Sequence, residues 1–472
     1  MDRVRPQNLA FLSADDDHQR LHVASLGVYE GPAPRHSELV DRVEVALALV
    51  PRFRQRLLEV PLKLGRPVWI DDENFRVEHH VRHTRLPAPG TEDQLRELVG
   101  QLASNPIERN QPLWELWQID GVGGDQWALL SKSHQAVVDG VSGTPLLSVL
   151  LDTTPHARIG PKGTWIPEEI PSDFRLVTDA LTDLAVDPAE LVGAIKSGIR
   201  VQGAMMKWAV DKVSAPFRQA SVADPAGLSG PIGGRRIWDH AELSLDTIRS
   251  VRQVFGGSTH DVLLACFTSG FRELLSQRGL LTPESEVRAV VPLSVAGESG
   301  RYENEVTVVE AALPVGTDDV LDRYSMITEE SAGSHESGVA ADVLASLAGN
   351  AMPLLLALGT RMATHAARMQ HHIQTIVTNV PGPRTPRFLL GHQLLASYPV
   401  VPIVDGVRLA VGAASYLDTV WLGFTGDLHH CGDIEHLRDG VVAGLAELHE
   451  LASLDKRAET GRDEPDENHL TP

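Results

Sequence analysis

The sequence predicts a mixed α/β fold class, arranged as two domains joined by a helical linker. Strand-like and helix-like patterns alternate over residues 1–150, and a second alternating region extends over residues 240–454. The chain has 472 residues, and a single hydrophobic core does not usually organise so long a chain. Its length therefore favours two domains of about 200 residues each. Residues 151–239 contain Pro- and Gly-rich stretches and one long helical pattern, which predicts the linker. Residues 455–472 are acidic and polar, which predicts a disordered tail.

The elements of the first domain each have a local signal. Residues 22–29 show an apolar strand pattern, and apolar residues recur at helical spacing over residues 37–50. Residues 91–102 predict a second helix, because Thr91 is a favourable N-cap and acidic residues follow in the first turn. Residues 126–133 predict the last strand of this domain.

The linker and the second domain have comparable signals. Asp187 as N-cap and Pro188 at the first helical position predict a helix over residues 187–217. In the second domain the pattern predicts one amphipathic helix at residues 258–277 and strands at residues 288–293, 304–314 and 375–380. Residues 343–360 are uncharged and long enough to span a membrane, but Gly, Asn and Pro interrupt them, which favours a buried segment.

Composition excludes several classes of function. The chain carries 42 Lys and Arg against 63 Asp and Glu, a net charge of -21, which argues against nucleic acid and against electrostatic adsorption to an anionic membrane. Cys266 and Cys431 form no metal-binding or redox spacing, so we expect no metal, and Cys266 is expected to be a buried apolar residue. The N-terminus has no secretory signal pattern, and we expect a cytoplasmic protein. Peripheral contact with a membrane or lipid droplet stays an open alternative.

The most informative segment for function is residues 132–140, Lys-Ser-His-Gln-Ala-Val-Val-Asp-Gly. A predicted strand leads into it and a Gly- and Ser-rich turn leaves it, and such junctions commonly display catalytic side chains. The segment resembles the HHxxxDG signature of the CoA-dependent acyltransferase superfamily. The resemblance implies a general base at the second His and a structural role for the Asp. Here His134, Asp139 and Gly140 match the signature, but Gln135 occupies the position of the base.

Further segments extend the resemblance to the wax ester synthase/diacylglycerol acyltransferase family over nearly the whole body of the chain. They are Pro-Arg-Phe-Arg-Gln-Arg-Leu at 51–57, Pro-Leu-Trp-Glu at 112–115, Leu-Ser-Gly-Pro-Ile at 228–232, Ser-Thr-His-Asp-Val at 258–262, Val-Pro-Leu-Ser at 291–294 and Thr-Asn-Val-Pro-Gly-Pro at 378–383. The resemblance implies two chloramphenicol-acetyltransferase-like domains with a tunnel between them. Long-chain acyl-CoA would enter from one side, and diacylglycerol or a fatty alcohol from the other. It implies no metal or redox cofactor, with acyl-CoA as a co-substrate.

Two positions besides Gln135 depart from the family pattern. His260 replaces an Asn, and Glu305 follows Asn304 where the family usually has Arg. Asp139, Gly140, Asp261 and Asn304 are retained. The resemblance implies that Asp139 organises the motif loop and that Gly140, Asp261 and Asn304 belong to the substrate-binding part of the site.

The substitution at Gln135 leaves the identity of the base open. A carboxamide donates and accepts hydrogen bonds but takes no proton near neutral pH. His134 is next to it, but along a continuing strand the two side chains would face opposite ways, so a structural role is favoured for His134. His260 is the candidate replacement base, weighed against a simple role at a helix start, since Ser258, Thr259 and Asp261 favour a helix N-terminus.

The sequence therefore predicts an acyl-CoA-dependent O-acyltransferase that makes triacylglycerol or wax ester from diacylglycerol or a long-chain alcohol. One alternative is a weakly active or inactive homologue that binds acyl-CoA or lipid in the tunnel. Another is an acyltransferase for a more acidic hydroxyl or a thiol, which needs less help from a base.

Overall fold

A computed structural model describes residues 2–137, 145–156, 160, 163–186, 227–295, 305–334 and 373–460 of the chain. Two six-stranded mixed sheets with helices packed beside them confirm the predicted α/β class. The predicted helix at 187–217 and the predicted buried segment at 343–360 lie outside the described residues.

The N-terminal half supplies most of the first sheet and a small three-stranded sheet. Its elements in chain order are β1 (Asp2–Arg3), α1 (Pro6–Ala14), β2 (His22–Glu30), α2 (His36–Ala46), β3 (Gln55–Leu58), β4 (Val68–Asp71), α3 (Val77–His80), β5 (Val81–Arg85), α4 (Glu92–Ser104), β6 (Trp114–Val122), β7 (Gln126–His134), α5 (Pro145–Leu150) and α6 (Asp173–Val186).

The C-terminal half supplies the second sheet and the longest described helices. Its elements are β8 (Ser229–Gly230), β9 (Arg236–Ser244), α7 (Leu245–Phe255), α8 (Thr259–Gln277), β10 (Val287–Val295), β11 (Glu305–Leu313), α9 (Val320–Ser334), β12 (Thr375–Val380), β13 (Phe388–Leu389), β14 (His392–Val400), β15 (Gly406–Val407), β16 (Leu409–Tyr416), β17 (Thr419–Asp427) and α10 (Ile434–Thr460).

Strand β7 lies near the middle of the first sheet, whose order is β13-β14-β2-β7-β6-β5. It pairs antiparallel with β2 on one side and with β6 on the other, and His22 lies directly opposite His134. Trp127, Leu129 and Leu130 of β7 are fully buried. The end of β7 is therefore fixed from both sides, and the segment that follows leaves a rigid strand.

The second sheet has the order β11-β10-β12-β16-β17-β9. Helices α8 and α10 pack closely on each other beside it. Close helix packing needs small residues at the contact, and an added Cβ at Gly270 would lie 2.5 Å from Val441 Cγ2. Cys266 of α8 is fully buried in this core, in agreement with its predicted apolar role.

Strand β14 links the two halves, because it leaves the C-terminal half and pairs with β2 of the first sheet. It also packs across β17, where the Pro399 carbonyl oxygen lies against Gly423 and accepts a hydrogen bond from Trp238 Nε1 at 3.2 Å. The domain boundaries predicted from the sequence stay a prediction. The strand order shows, in addition, that strands β13 and β14, within residues 388–400, belong to the first sheet.

The elements predicted from local signals within the described residues lie within a few residues of their positions in the structure. Helix α4 begins after Thr91, whose hydroxyl accepts from the Gln94 N–H in a capping box, as the sequence predicts. Helix α6 (Asp173–Val186) was not predicted as a separate helix. Helix α10 continues to Thr460, past the predicted start of the disordered tail at residue 455.

Candidate active site

The turn formed by Gln135, Ala136 and Val137 follows directly on β7, and its backbone is held from several sides. The Gln135 N–H donates to the Leu21 carbonyl at 2.8 Å, and the Val137 N–H donates to the His134 carbonyl at 2.9 Å. The Asn8 side-chain amide donates to the Ala136 carbonyl at 3.0 Å. Gln135 itself is half-buried. The position that the resemblance assigns to a base is therefore presented on a well-fixed turn.

The imidazole of His134 is almost completely buried, and one of its two nitrogens is held by a hydrogen bond. Its Nδ1 accepts from the Ala136 N–H at 3.0 Å, so the ring proton resides on Nε2. That Nε2 faces Oδ2 of Asp15 at 3.6 Å. This geometry favours the structural role that the sequence suggests for His134.

Asp15 is the most important neighbour of the motif that the sequence did not single out. Its Oδ1 accepts from the Leu21 N–H at 2.9 Å, and its Oδ2 accepts from Arg109 at 3.1 Å. Burial alone would raise its pKa, but the nearby N–H of His134 Nε2 and the Leu21 N–H outweigh burial and lower the pKa of Asp15 to about 2. A permanent carboxylate therefore faces His134.

His22 and Lys132 complete this buried polar group. The rings of His22 and His134 meet edge to face, with centroids 5.7 Å apart. Burial, together with the charges of Lys132 and His134, lowers the pKa of His22 to about 3, so His22 is neutral at physiological pH. Lys132 Nζ donates to the carbonyls of Leu102 and Asn105 at 3.0 and 3.1 Å and lies 3.2 Å from Glu115.

In the C-terminal half, His260 and Asp261 lie in the first turn of α8. Ser258 is the N-cap: its N–H donates to Asp261 Oδ2 at 2.7 Å, and its hydroxyl accepts from the Asp261 N–H at 3.2 Å. The carboxylate of Asp261 thus caps the helix, which bears out the predicted helix start. Burial lowers the pKa of His260, with the charge of Asp261 opposing the shift.

The described structure brings His134, Gln135 and Asp15 together, but it joins His260 to none of them. Among the described residues, no hydrogen bond or ion pair connects His260 with this group or with the Asp261 carboxylate. Asp139, Gly140 and Asn304 lie outside the described residues. Their assignment to the site, like that of Gln135, His260 and Asp261, stays a prediction.

Within the ranges that the structure describes, no three His, Cys, Asp or Glu side chains are grouped so that they could hold a metal ion. Likewise, none of the described helices combines the length and apolar character that crossing a membrane requires.

The fold is similar to that of two solved structures. A wax ester synthase/diacylglycerol acyltransferase from Marinobacter aquaeolei has a TM-score of 0.71 at 24% identity, covering 96% of this chain and 100% of that chain. The first condensation domain of the calcium-dependent antibiotic synthetase has a TM-score of 0.56 at 14% identity, covering 95% and 96%. At these identities the likeness shows the two-domain fold.

Sequence relatives extend along the whole chain. A probable diacylglycerol O-acyltransferase of Mycobacterium tuberculosis is 31% identical over 481 residues, which cover 98% of each chain. A putative diacylglycerol O-acyltransferase of the same organism is 30% identical over 435 residues, covering 88% of this chain and 82% of the relative.

Two family models match successive parts of the sequence. The wax ester synthase/diacylglycerol acyltransferase catalytic domain matches residues 4–263, and the C-terminal domain of the same family matches residues 302–449. The chain therefore belongs to the wax ester synthase/diacylglycerol acyltransferase family.

Proposed function

We propose that this protein is an acyl-CoA-dependent O-acyltransferase that transfers a long-chain acyl group to diacylglycerol or to a long-chain alcohol, giving triacylglycerol or wax ester. The observation that carries the proposal is the fixed turn after β7, which presents the residue at the base position of the family motif. Full-length similarity to relatives named diacylglycerol O-acyltransferases supports the same reaction class.

In this reaction the acceptor hydroxyl oxygen attacks the thioester carbonyl carbon, the C–S bond breaks, and an ester forms. The hydroxyl proton ends on the departing CoA sulfur. Gln135 would position the acceptor hydroxyl by accepting its hydrogen bond, or donate its own N–H to the developing oxyanion. It would not carry the proton. Losing a base costs a factor of about 10²–10⁴ in rate, while positioning is retained.

His260 is the candidate for carrying the proton. Burial lowers the pKa of its imidazole, which favours the neutral form that a base needs. His134 is the weaker candidate, because Nδ1 already accepts from Ala136 and Nε2 faces Asp15. Asp139 would organise the motif loop, and Gly140, Asp261 and Asn304 would contribute to substrate binding.

The substitution at Gln135 also favours a second function, in which the protein binds long-chain acyl-CoA or a lipid without turning it over. The buried group of His134, Asp15 and Lys132 would then preserve the shape of the site after the chemistry was lost. In either case we propose a cytoplasmic protein, with peripheral contact to a membrane or lipid droplet as the open alternative.

Acyl transfer from palmitoyl-CoA to diacylglycerol and to hexadecanol tests both functions. The experiment compares the native protein with His260→Ala, and uses His79→Ala, which changes an exposed histidine, as the matched control. Turnover by the native protein that His260→Ala removes and His79→Ala retains supports the enzyme with a relocated base. Tight binding of palmitoyl-CoA without turnover supports the binding protein. A protein that neither binds nor turns over palmitoyl-CoA contradicts both.

A further inference from the structure

Residues 15–21 join α1 to β2 and lie against the turn that bears Gln135, and we name them the N-terminal loop. The Leu21 carbonyl accepts from the Gln135 N–H at 2.8 Å. The Asp15 carboxylate faces His134 Nε2, at the end of the strand before the turn, at 3.6 Å. A contact that holds the N-terminal loop therefore also helps to hold the turn.

One side chain of this loop, Gln19, reaches across to the C-terminal half of the protein. It is buried, with 6% of its surface exposed. Its Nε2 donates to the carbonyl of Ala14, the last residue of α1, at 2.9 Å. Its Oε1 accepts from the N–H of Asp405, 386 positions further along the chain, at 2.8 Å. The carboxamide thus uses its donor in one half of the protein and its acceptor in the other.

Asp405 lies in a tight turn over residues 404–407. The Val407 N–H donates to the Val404 carbonyl at 2.9 Å and closes this turn. Gly406 has a φ of +96°, the positive φ that a type II turn needs at its third position. Because the turn is closed by the Val407 N–H, the Asp405 N–H can bond outside it, to Gln19.

The 404–407 turn is joined to the segment Leu-Ser-Gly-Pro-Ile at 228–232. Strand β15, at the end of the turn, pairs antiparallel with β8, which lies in this segment. Arg408 adds two contacts: its N–H donates to the Leu228 carbonyl at 2.8 Å, and its Nε donates to the Pro231 carbonyl at 3.2 Å. The turn and the segment therefore form one unit of the C-terminal half.

A second contact from the C-terminal half reaches the N-terminal loop at the residue before Gln19. The Arg236 guanidinium, of β9, donates to the His18 carbonyl and also to the Gly233 carbonyl, the latter at 2.7 Å. Two neighbouring residues of the loop are thus held by groups from the opposite half. A continuous series of hydrogen bonds leads from the segment 228–232 through Gln19 and the loop to Gln135.

We propose that Gln19 is a positioning residue, which couples the turn at Gln135 to the C-terminal half of the protein. The turn then keeps its position only while the 404–407 turn is seated against the N-terminal loop. The consequence for acyl transfer rests on the proposed function. It is large in principle, because a displacement of about 1 Å at a reacting group can cost about 10²-fold in rate.

Hydrogen–deuterium exchange on the full chain tests the coupling without turnover. Gln19→Leu keeps the size of the side chain and removes both of its hydrogen bonds, one in each half. We expect amide exchange to rise by about tenfold at residues 134–137 and at residues 404–408, the worth of one or two buried hydrogen bonds. Helix α8 serves as the internal reference, and its exchange should stay within about twofold of the native value.

Two further variants are the matched controls. Asn8→Leu removes the amide that donates to the Ala136 carbonyl at 3.0 Å, so it should raise exchange at residues 134–137 and leave residues 404–408 unchanged. Gln101→Leu changes an exposed glutamine of α4 and should alter neither region. Unchanged exchange at residues 134–137 in Gln19→Leu would overturn the proposal. An equal rise in α8 would also overturn it, because it would show a general loss of stability.

Steady-state kinetics with palmitoyl-CoA and hexadecanol tests the consequence for the reaction. We expect Gln19→Leu to lower kcat by about tenfold and to leave KM for palmitoyl-CoA within about twofold, since positioning is lost and binding is not. An unchanged kcat would contradict a positioning role. Exchange that rises in both regions of a protein without turnover supports the coupling and refutes only the enzymatic function.

Discussion

The Nε2 atom of His134 faces Oδ2 of Asp15 at 3.6 Å, while Nδ1 of the same ring accepts from the Ala136 N–H at 3.0 Å. The imidazole thus lies between the turn after β7 and the segment before β2 and contacts both. Because Nδ1 is occupied by the Ala136 N–H and Nε2 is directed to the Asp15 carboxylate, we expect His134 to support the position of Gln135 and not to replace its chemistry.

Asp15→Asn should lower the free energy of unfolding in a pH-dependent manner. The folded-state pKa of Asp15 is about 2, below the ordinary value of 3.8, so its stabilisation is present above pH 4 and is lost as the pH falls towards 2. The shift corresponds to about 2 kcal/mol. Urea unfolding of both proteins at pH 7, 5 and 3 measures it.

Asp17→Asn is the control for this measurement, because Asp17 is exposed in the same segment. A difference between the native protein and Asp15→Asn that stays constant from pH 7 to pH 3 would contradict the assignment of the low pKa to Asp15.

Lys132→Met should be strongly destabilising. The side chain is fully buried, and burial lowers its pKa while the charge of Glu115 opposes the shift. Its loss removes a donor from the Leu102 and Asn105 carbonyls and from the buried Glu115 carboxylate, which keeps Trp117 Nε1 at 3.0 Å and Arg82 at 3.3 Å. Breaking a buried pair in this manner costs about 3–5 kcal/mol. Unfolding of both proteins in guanidinium chloride measures the difference in their free energy of unfolding.

The double variant Lys132→Met with Glu115→Gln distinguishes a loss of stability caused by the Glu115 charge, once it has lost Lys132, from a loss caused by poorer packing at position 132. If the carboxylate is the main penalty, the double variant is more stable than Lys132→Met alone. Additive losses would show that the two side chains act independently.

Local signals were sufficient to place the elements that the sequence predicts, but they did not predict the remaining strands or the long-range pairing of strands in the two sheets. Helix α4 and helix α8 were placed correctly, because Thr91 and Ser258 cap them through residues three positions away. Strand β14 gives no local hint that its partner is β2, since the pairing of Val400 with Ala24 depends on the fold of the whole chain.

The position of the candidate site was also predictable from local signals, but its long-range contacts were not. The turn at Gln135 follows from the end of an apolar strand, and the half-buried position of its side chain agrees with a functional role. Asp15 is the first of three consecutive aspartates, a pattern typical of a solvated loop, so nothing local marks it as the partner of His134. Helix α6 was missed because the Pro- and Gly-rich stretch before it suggested an extended linker.

Gly423→Ala should destabilise the contact between the two halves. A Cβ at this position would overlap the Pro399 carbonyl oxygen of β14, and neither β17 nor β14 can retreat without breaking its sheet. Overpacking of this kind costs about 1–3 kcal/mol. Gly163→Ala is the matched control, because no atom lies within 4 Å of its added Cβ. Equal urea midpoints for the two variants would refute the tight crossing of β14 over β17.

Where no other residue already takes the proton, Gln135→His should raise acyl transfer from palmitoyl-CoA to hexadecanol by about 10²–10⁴-fold, the usual contribution of a positioned base. A much smaller gain is expected if His260 already acts as the base. The new imidazole would inherit a backbone that Leu21, His134 and Asn8 already hold in place. The rate should increase as the pH rises through the imidazole pKa, near 6.5, because only the neutral ring takes the proton. Gln135→Leu, which keeps the size but removes the hydrogen bonds, should fall below the native protein. If Gln135→His shows the native rate and the native pH profile, the residue at this position is not within reach of the acceptor hydroxyl.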